Sequence, residues 1–549
     1  MANIFTIGQG ALLAAQTGLT TTGHNIANAA TPGFSRQAVT QTSATPQQTG
    51  FGFIGGGTQV TDVRRLYNEQ LGQQVLSAQS AKSALDSYYS QISRIDNLLA
   101  DPAAGLSPAL QGFFKGMQDL AGNPSSAPAR QSALSAAETL ATRFQSMDGQ
   151  LNELRQNVNS EITSSVSSIN FYGSQIAQLN NTILQAQAGS DGKAANDLLD
   201  QRDQLIADLG KETRVSVVRQ DGNVNIFIGN GQPLVLGAQT FTLVAQPSVT
   251  DPGRVEVGVL SNGITTMLAE SSLPGGRLGG SLAFRSGTLD PAQTSLATMA
   301  TTLAATFNAQ HRLGQDQNGN PGGDFFTVSG TTASGFTVAI ADTAAIAAAA
   351  PVRTAALAAN TGSGTISAGV VDAAYPAAPL SAPVTLVYDA LANTLDTIPA
   401  GALAGFPQAY SSGATISSGG ITFAISGAPG DQDKFTIGPN TGGVGDNRNA
   451  LLLGALQTAK TMEGGTTSFQ GSYARLVNLV GNKTRELEVT SRAETQLLAQ
   501  AIQAQQSVSG VNLDEEATNL LRYQQAYQAA GKVMQVANEL FDVVLSINR

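Results

Sequence analysis

NLDEEATNLLRYQQAYQAAGKVMQVANELFDVVLSI, residues 512–547, carries an apolar stripe at helical spacing. Leu513, Ala517, Leu520, Tyr523 or Tyr527, Ala530, Val533, Ala537, Leu540, Val544 and Ile547 follow one another mostly in steps of three and four, which keeps one face of a helix apolar. The opposite end of the chain repeats the pattern across residues 3–28 with Ile4, Ile7, Ala11, Ala15, Leu19, Thr22 and Ile26. A helix of a few turns is marginal until such a face is covered. The two ends are therefore expected to pack on each other or on neighbouring copies, and to be mobile in the free chain. The expected polymer contacts are Ile4, Ile7, Leu19, Ile26, Leu513, Leu520, Tyr527, Val533, Leu540 and Val544. The acidic run Asp514-Glu515-Glu516 opens the last helix, where negative charge offsets the positive end of the helix dipole and Glu515 can complete a capping box with Asn512.

Between the ends the pattern changes several times. Thr31-Pro32-Gly33-Phe34 stops the first helix, and residues 50–57 read as a glycine-rich flexible connector. Helical spacing is expected over residues 64–99 and 107–120. It is longest over residues 129–188, where Ala137, Ala141, Phe144, Leu151, Val158, Ile162, Ile169, Tyr172, Ile176, Leu179 and Ile183 form a heptad seam broken by Asp148, Arg155 and Ser165. A further helix at 196–209 precedes a switch to period two, with short strands at 215–218, 224–228 and 234–236 separated by Asp221-Gly222 and Gly229-Asn230-Gly231 turns. Helix returns at Asp290-Pro291. Residues 321–445 are rich in Ala, Gly, Ser and Thr, with strand-like pieces at 384–388, 421–425 and 435–437; folding with the first β region, standing beyond it, and partial disorder all remain open. Helix resumes at Asp446 and, after a loop at 463–468, runs to Val508.

The expected fold is α+β and multidomain: a long coiled-coil-like helical shaft built from N- and C-terminal segments, with β-rich domains inserted centrally. The domains read as 1–60 with 510–549 (terminal helical), 61–210 with 278–320 and 445–509 (shaft), 211–277 (β) and 321–444 (outer, β-rich).

Among 549 residues, 39 are acidic and 29 basic, giving a net charge of −10 and no dense basic cluster for a phosphate backbone to meet. Nucleic acid is not an expected partner. There is no cysteine, which removes disulfides, thiol catalysis and thiolate metal sites together. No apolar run reaches the roughly 18 residues of a membrane span, and the N-terminus lacks the pattern of a cleaved secretory signal, so the residues by themselves read as cytoplasmic. His24 and His311 have no second imidazole or acidic pair at metal spacing and read as structural or contact residues. Asp316, Asn318, Asn320 and Asp324 have calcium-loop spacing, but Pro321 and Thr327 stand where that loop needs Gly and a bidentate Glu, so a polar turn is expected. No catalytic residue, cofactor or metal is assigned.

The end segments also carry specific residues. Residues 14–19 (AAQTGL) leading to 25–37 (NIANAATPGFSRQ), and residues 506–516 (QSVSGVNLDEE) followed by 521–528 (LRYQQAYQ), resemble the terminal motifs of bacterial flagellar rod, hook and junction proteins. The motif residues are Asn25, Asn28, Pro32, Gly33, Phe34, Arg36, Gln37, Asn512, Glu515, Arg522, Tyr523 and Gln524. Within that group, residues 95–100 (IDNLLA), 196–205 (NDLLDQRDQL) and 446–450 (DNRNA) resemble the hook-associated protein 1 family of the hook–filament junction, a likeness that fades between about 321 and 430. The resemblance implies an extracellular structural protein exported through the flagellar type III apparatus without a cleaved signal, which replaces the cytoplasmic reading. It also implies a self-assembled ring, contact with the hook protein and with a second junction protein, and a cytoplasmic export chaperone on the C-terminal helix. Another axial protein of hook type is the nearest alternative, and a cryptic hydrolase in the β region a remote one.

Overall fold

The computed structural model describes residues 2–50, 52–103, 105–190, 193–220 and 223–547. The expected Asp221-Gly222 turn and the side chain of Ile547 lie outside the described residues. Contacts divide the chain into two compact units, Met1–Gln91 with Arg155–Arg285 and Arg485–Arg549, and Ile92–Leu154 with Ser286–Thr484. This partition differs from the four expected domains: residues 211–277 fall in the unit that holds both chain ends, and residues 321–444 fall in the other.

In the first unit, α1 (Ala2–Ala27) is followed by β1 (Gln37–Ser43), the hairpin β2 (Gln47–Thr49) and β3 (Gly52–Ile54), and β4 (Thr58–Arg65). β1 and β4 pair antiparallel, with a register shift after Thr40. Two expectations are corrected here. The connector at 50–57 is partly a hairpin strand, and the helix expected from Arg64 begins only at Glu69, as α2 (Glu69–Ala100). The run Thr58-Gln59-Val60-Thr61-Asp62-Val63 is β-branched at four of its six positions, which favours a pleated strand over a helix start.

After α3 (Leu106–Gly122), α4 (Ala127–Ala188) is one helix of 62 residues. Its heptad seam is mostly buried, Asp148 and Ser165 included. Arg155 leaves the seam to pair with Asp251. α5 (Asn196–Glu212) leads into the antiparallel sheet of β5 (Val215–Gln220), β6 (Asn223–Ile228), β7 (Gln232–Leu236) and β8 (Gln239–Thr240). A second sheet holds β9 (Thr242–Pro247), β10 (Val255–Ser261) and β11 (Ile264–Met267). Asparagines of α4 bond the strand backbones. Asn170 brackets Leu243 with bonds of 2.8 and 2.9 Å, and Asn180 donates 2.8 Å bonds to the carbonyls of Val224 and Gly237, so strand-end groups that would otherwise lack partners are satisfied from the helix. α6 (Gly276–Phe284) closes this unit's central segment.

The second unit contains α7 (Asp290–His311), α8 (Arg448–Ala455) and the first part of α9 (Phe469–Ser509). Its interior holds an aromatic cluster of Phe113, Phe307, Phe325, Phe326 and Phe336. The segment left open by sequence is folded. Strands Val352–Ala356, Lys434–Pro439, Val384–Asp389, Thr394–Ile398 and Gln408–Ala409 make a five-stranded sheet, beside a smaller one built around Ile421–Ser426. The core between them includes Leu386, Leu395, Ile425, Phe435 and Ile437. The ends of this insert meet, since Asn440 donates its backbone N–H to Pro351. Among the described residues it shares no sheet with β5–β11. The last helix is α10 (Leu513–Ile547), in the first unit.

Candidate functional site

α1 and α10 pack on each other. The seam between them is lined by small residues. The buried positions of α1, which also packs on β1 and β4, are Gly8, Ala14, Ala15, Gly18, Thr21, Thr22 and Asn25; those of α10 are Glu516, Ala530 and Ala537, spaced by multiples of seven. A methyl group added at Gly18 would fall 2.5 Å from the Tyr523 ring, which marks the closeness of the helices there; one at Gly8 would fall 2.7 Å from Met534 Sδ, the end of a flexible side chain that can shift aside. Phe5 meets Phe541 edge-on at 6.1 Å.

The expected polymer contacts therefore divide. Ile7, Leu19, Ile26 and Leu520 are half-buried, whereas Ile4, Leu513, Tyr527, Val533, Leu540 and Val544 are exposed. Large side chains hold helices apart, so the small members of the stripe are the fully buried ones, while large ones such as Tyr523 lie only partly covered beside them. Val533, Val536, Leu540 and Val543 form a second row along α10 at steps of three and four, between 42% and 53% exposed.

At one end of the seam, polar residues form a clasp. Arg36 makes a two-pronged bond to Glu515, at 2.7 and 3.1 Å, and its Nε donates to Glu516 at 2.7 Å. Its backbone N–H donates to Ser509 at 2.8 Å. Glu516 is 2% exposed and also accepts from Asn25 Nδ2 at 3.2 Å. Asn25 in turn holds the Gln37 backbone from both sides, at 2.9 Å each way. The hydrogen bond to Glu515 holds the Arg36 guanidinium above its ordinary value, and the same bond holds the Glu515 carboxyl below its own. Asn512 caps α10 through bonds from Asp514 and Glu515, but the Glu515 carboxylate is taken by Arg36 instead of completing the expected capping box.

α5 anchors the other side of the clasp. Gln37 donates to Asp197 at 2.8 Å, Ser35 N–H to Asp200 at 3.1 Å, and Arg65 to Asp200 and Asp203 at 2.8 and 2.9 Å. The Arg65 and Arg219 guanidiniums lie 4.9 and 5.5 Å from the Tyr67 ring centre. His24 stands 3.2 Å from Asp197 and meets Phe34 edge-on, with Asn28 against its other nitrogen. Gly33 lies in the left-handed region at φ 79°, hard against Gln204, while Pro32 is exposed. Arg522, Tyr523 and Gln524 stand outside the clasp: Arg522 lies over the Tyr523 ring, Tyr523 lines the seam, and Gln524 is exposed. Sequence reading missed Glu516, Asp197, Asp200, Asp203, Arg65 and Tyr67 as members. The available signal was three aspartates spaced 197, 200, 203 on one face of α5, with arginines at 36, 65 and 219 to meet carboxylates.

The two histidines differ. His311 is fully buried in the second unit, where its Nε2 accepts from Ala347 N–H at 2.9 Å and its Nδ1 therefore carries the proton that faces Gly323 O at 2.8 Å. Burial pushes its pKa down. Asp316 accepts the N–H groups of Asn318 and Asn320, which makes the calcium-like segment a self-contained polar turn. Among the described residues no three His, Asp or Glu side chains gather as a metal-binding group, and no helix is long and apolar enough to cross a membrane.

Terminal helices closed by a buried charge clasp, with a row of large apolar residues left beside the seam, define a structural chain shaped to join a larger body. The signature described as the flagellar hook-associated protein FlgK helical domain matches residues 92–326, and that of the flagellar basal body rod FlgEFG protein C-terminal matches 502–547. Flagellar hook-associated protein 1 of Salmonella typhimurium is 36% identical over 100% of both chains, and that of Escherichia coli 33% over 100% of both. The flagellar hook junction protein FlgK of Burkholderia pseudomallei superposes with a TM-score of 0.73 at 33% identity, covering 80% of this chain and 100% of its own. The chain belongs to the flagellar hook-associated protein 1 family, structural proteins of the bacterial flagellum at the junction of hook and filament.

Proposed function

We propose that this chain assembles with copies of itself into the ring between hook and filament, using residues 1–60 and 510–549 as its polymerising part. The observation that carries the reading is the row Val533, Val536, Leu540 and Val543, which stays about half exposed in α10. Each of these side chains is already about half covered, so enclosing it gains roughly half of the 1.5–3 kcal/mol of full burial, which over the row favours a neighbouring copy over water. The clasp then serves to present the row, fixing the start of α10 against the loop that follows α1. In the free chain the pair is held by its narrow seam, the clasp and the packing of α1 on β1 and β4, and its amides exchange faster than those of the two compact cores.

The further partners in this reading are the hook protein on one side and the second junction protein on the other. An export chaperone in the cytoplasm covers the α10 row before secretion through the flagellar type III apparatus, so the same apolar face stays shielded until it polymerises. The test is a strain lacking the gene, viewed by electron microscopy with its medium assayed for filament subunits. Cells with hooks and no filaments, shedding unassembled subunits, support the junction role. Cells with full filaments, or with no hooks, overturn it.

A further inference from the structure

The chain contains three Asn-Gly pairs whose asparagines are described, at 230, 262 and 318, and their surroundings differ in one chemical respect. An asparagine followed by glycine can modify itself: the glycine's backbone nitrogen attacks the side-chain carbonyl carbon. This needs a free N–H, a free side-chain amide and a backbone that can swing into reach. In two of the pairs the nitrogen is occupied. Gly231 N–H donates to Ile228 O at 3.1 Å, and the Asn230 side chain is itself held by Ser271 O at 3.0 Å. Gly319 N–H donates to Asp316 O at 3.3 Å, inside a turn that Asp316 ties together. Asn262 and Gly263 form the two-residue turn between β10 and β11, with φ of 50° and 79°, the left-handed pair that such hairpins require. Both residues are exposed. Among the described residues neither the Gly263 N–H nor the Asn262 amide has a hydrogen-bond partner, and nothing lies within 4 Å of the place where a side chain on Gly263 would sit. β11 is an edge strand that pairs with β10 alone over four residues, so opening the turn disturbs little else.

We propose that Asn262–Gly263 is a site of spontaneous deamidation in the folded protein. The Gly263 nitrogen gives up its proton to water or hydroxide and bonds to Asn262 Cγ; the Cγ–Nδ2 bond breaks, and Nδ2 leaves as ammonia. The five-membered imide that results is opened by one water at either of its two carbonyls. One opening leaves aspartate at 262; the other leaves isoaspartate, which adds an atom to the backbone of a two-residue turn and so removes the Ser261–Ile264 register. Either product places a carboxylate beside Leu260 and Ile264, which are 41% and 71% exposed.

The experiment ages the folded full-length protein in mildly alkaline buffer and follows each Asn-Gly peptide by mass spectrometry for the amide-to-acid change and for isoaspartate. Conversion at 262 is expected to run roughly tenfold ahead of 230 and 318, the factor one additional backbone hydrogen bond to break would impose. In urea the three rates converge. Asn262→Gly keeps the turn's backbone freedom and abolishes the signal from that peptide. Equal or faster conversion at 230 or 318 in the folded protein overturns the proposal. So does a 262 peptide that stays amidated when folded and converts only in urea.

Discussion

In the insert of residues 352–439, Leu386, Leu395, Ile425, Phe435 and Ile437 are fully enclosed, while in α10 Leu513, Leu521, Val536 and Val543 are each more than half exposed. The first region places its large apolar side chains between two sheets and is complete by itself. The second places alanine and glycine in its seam and turns its large side chains outward. Sheets stacked about 10 Å apart leave room for Phe and Leu, whereas helices brought close enough for Gly18 to meet the Tyr523 ring do not. A region that buries its bulk leaves little apolar surface for a partner to cover; one that exposes it gains from company.

The contrast breaks most sharply in the insert. Phe435→Ala removes a fully buried ring and is expected to cost about 3–5 kcal/mol, read as a matching fall in hydrogen-exchange protection of the strands around 384–389 and 434–439. If protection there is unchanged, the insert does not depend on its own core. In the terminal pair, Arg36→Ala leaves the Glu516 carboxylate buried without its cation, a loss of about 3 kcal/mol. Because the seam has little stability of its own to lose, α1 and α10 amides are expected to lose protection together while the insert keeps its own. Protection surviving in both helices would show that the clasp is incidental to the pairing.

A smaller effect separates the units by pH. His311 is held neutral in the fold, with its pKa below the 6.5 of the unfolded chain. As pH falls through the unfolded value the unfolded state binds the extra proton, so the second unit loses stability, by at most about 1.4 kcal/mol per pH unit. Denaturation of the full chain across that range shows the slope, and His311→Gln removes it at some cost in stability. A stability that rises on acidification would contradict the neutral, bonded imidazole.

Much of the fold was legible beforehand. The α4 seam follows from heptads, because a helix that long buries one face wherever its apolar residues recur at that spacing. The terminal pairing was legible too, in a stripe that already held Ala530 and Ala537 beside Val533 and Leu540; that the two alanines are the buried ones shows only in the packed pair. Of the clasp, Asn25, Arg36, Gln37 and Glu515 were visible as motif residues. Glu516 was not, since in sequence it reads as one more acid in a helix's first turn; only the chain's return across nearly five hundred residues puts Asn25 and Arg36 against it. In the insert, strand-like pieces at 384–388, 421–425 and 435–437 were legible, but not their arrangement, because the strands are short and their partners distant, as when Val352–Ala356 pairs with Lys434–Pro439.

The outward row on α10 decides the matter most directly. Leu540→Asp places a charge on a side chain that is 43% exposed in the single chain, where it costs little, and that the assembled ring would enclose. Secreted protein in the medium is measured beside electron microscopy of the hook ends. A normally folded chain that forms no junction or filament is the predicted result, the secreted amount separating a lost polymer contact from a lost chaperone contact on the same row. Normal secretion with normal filaments would show that the row is not the contact on which assembly depends.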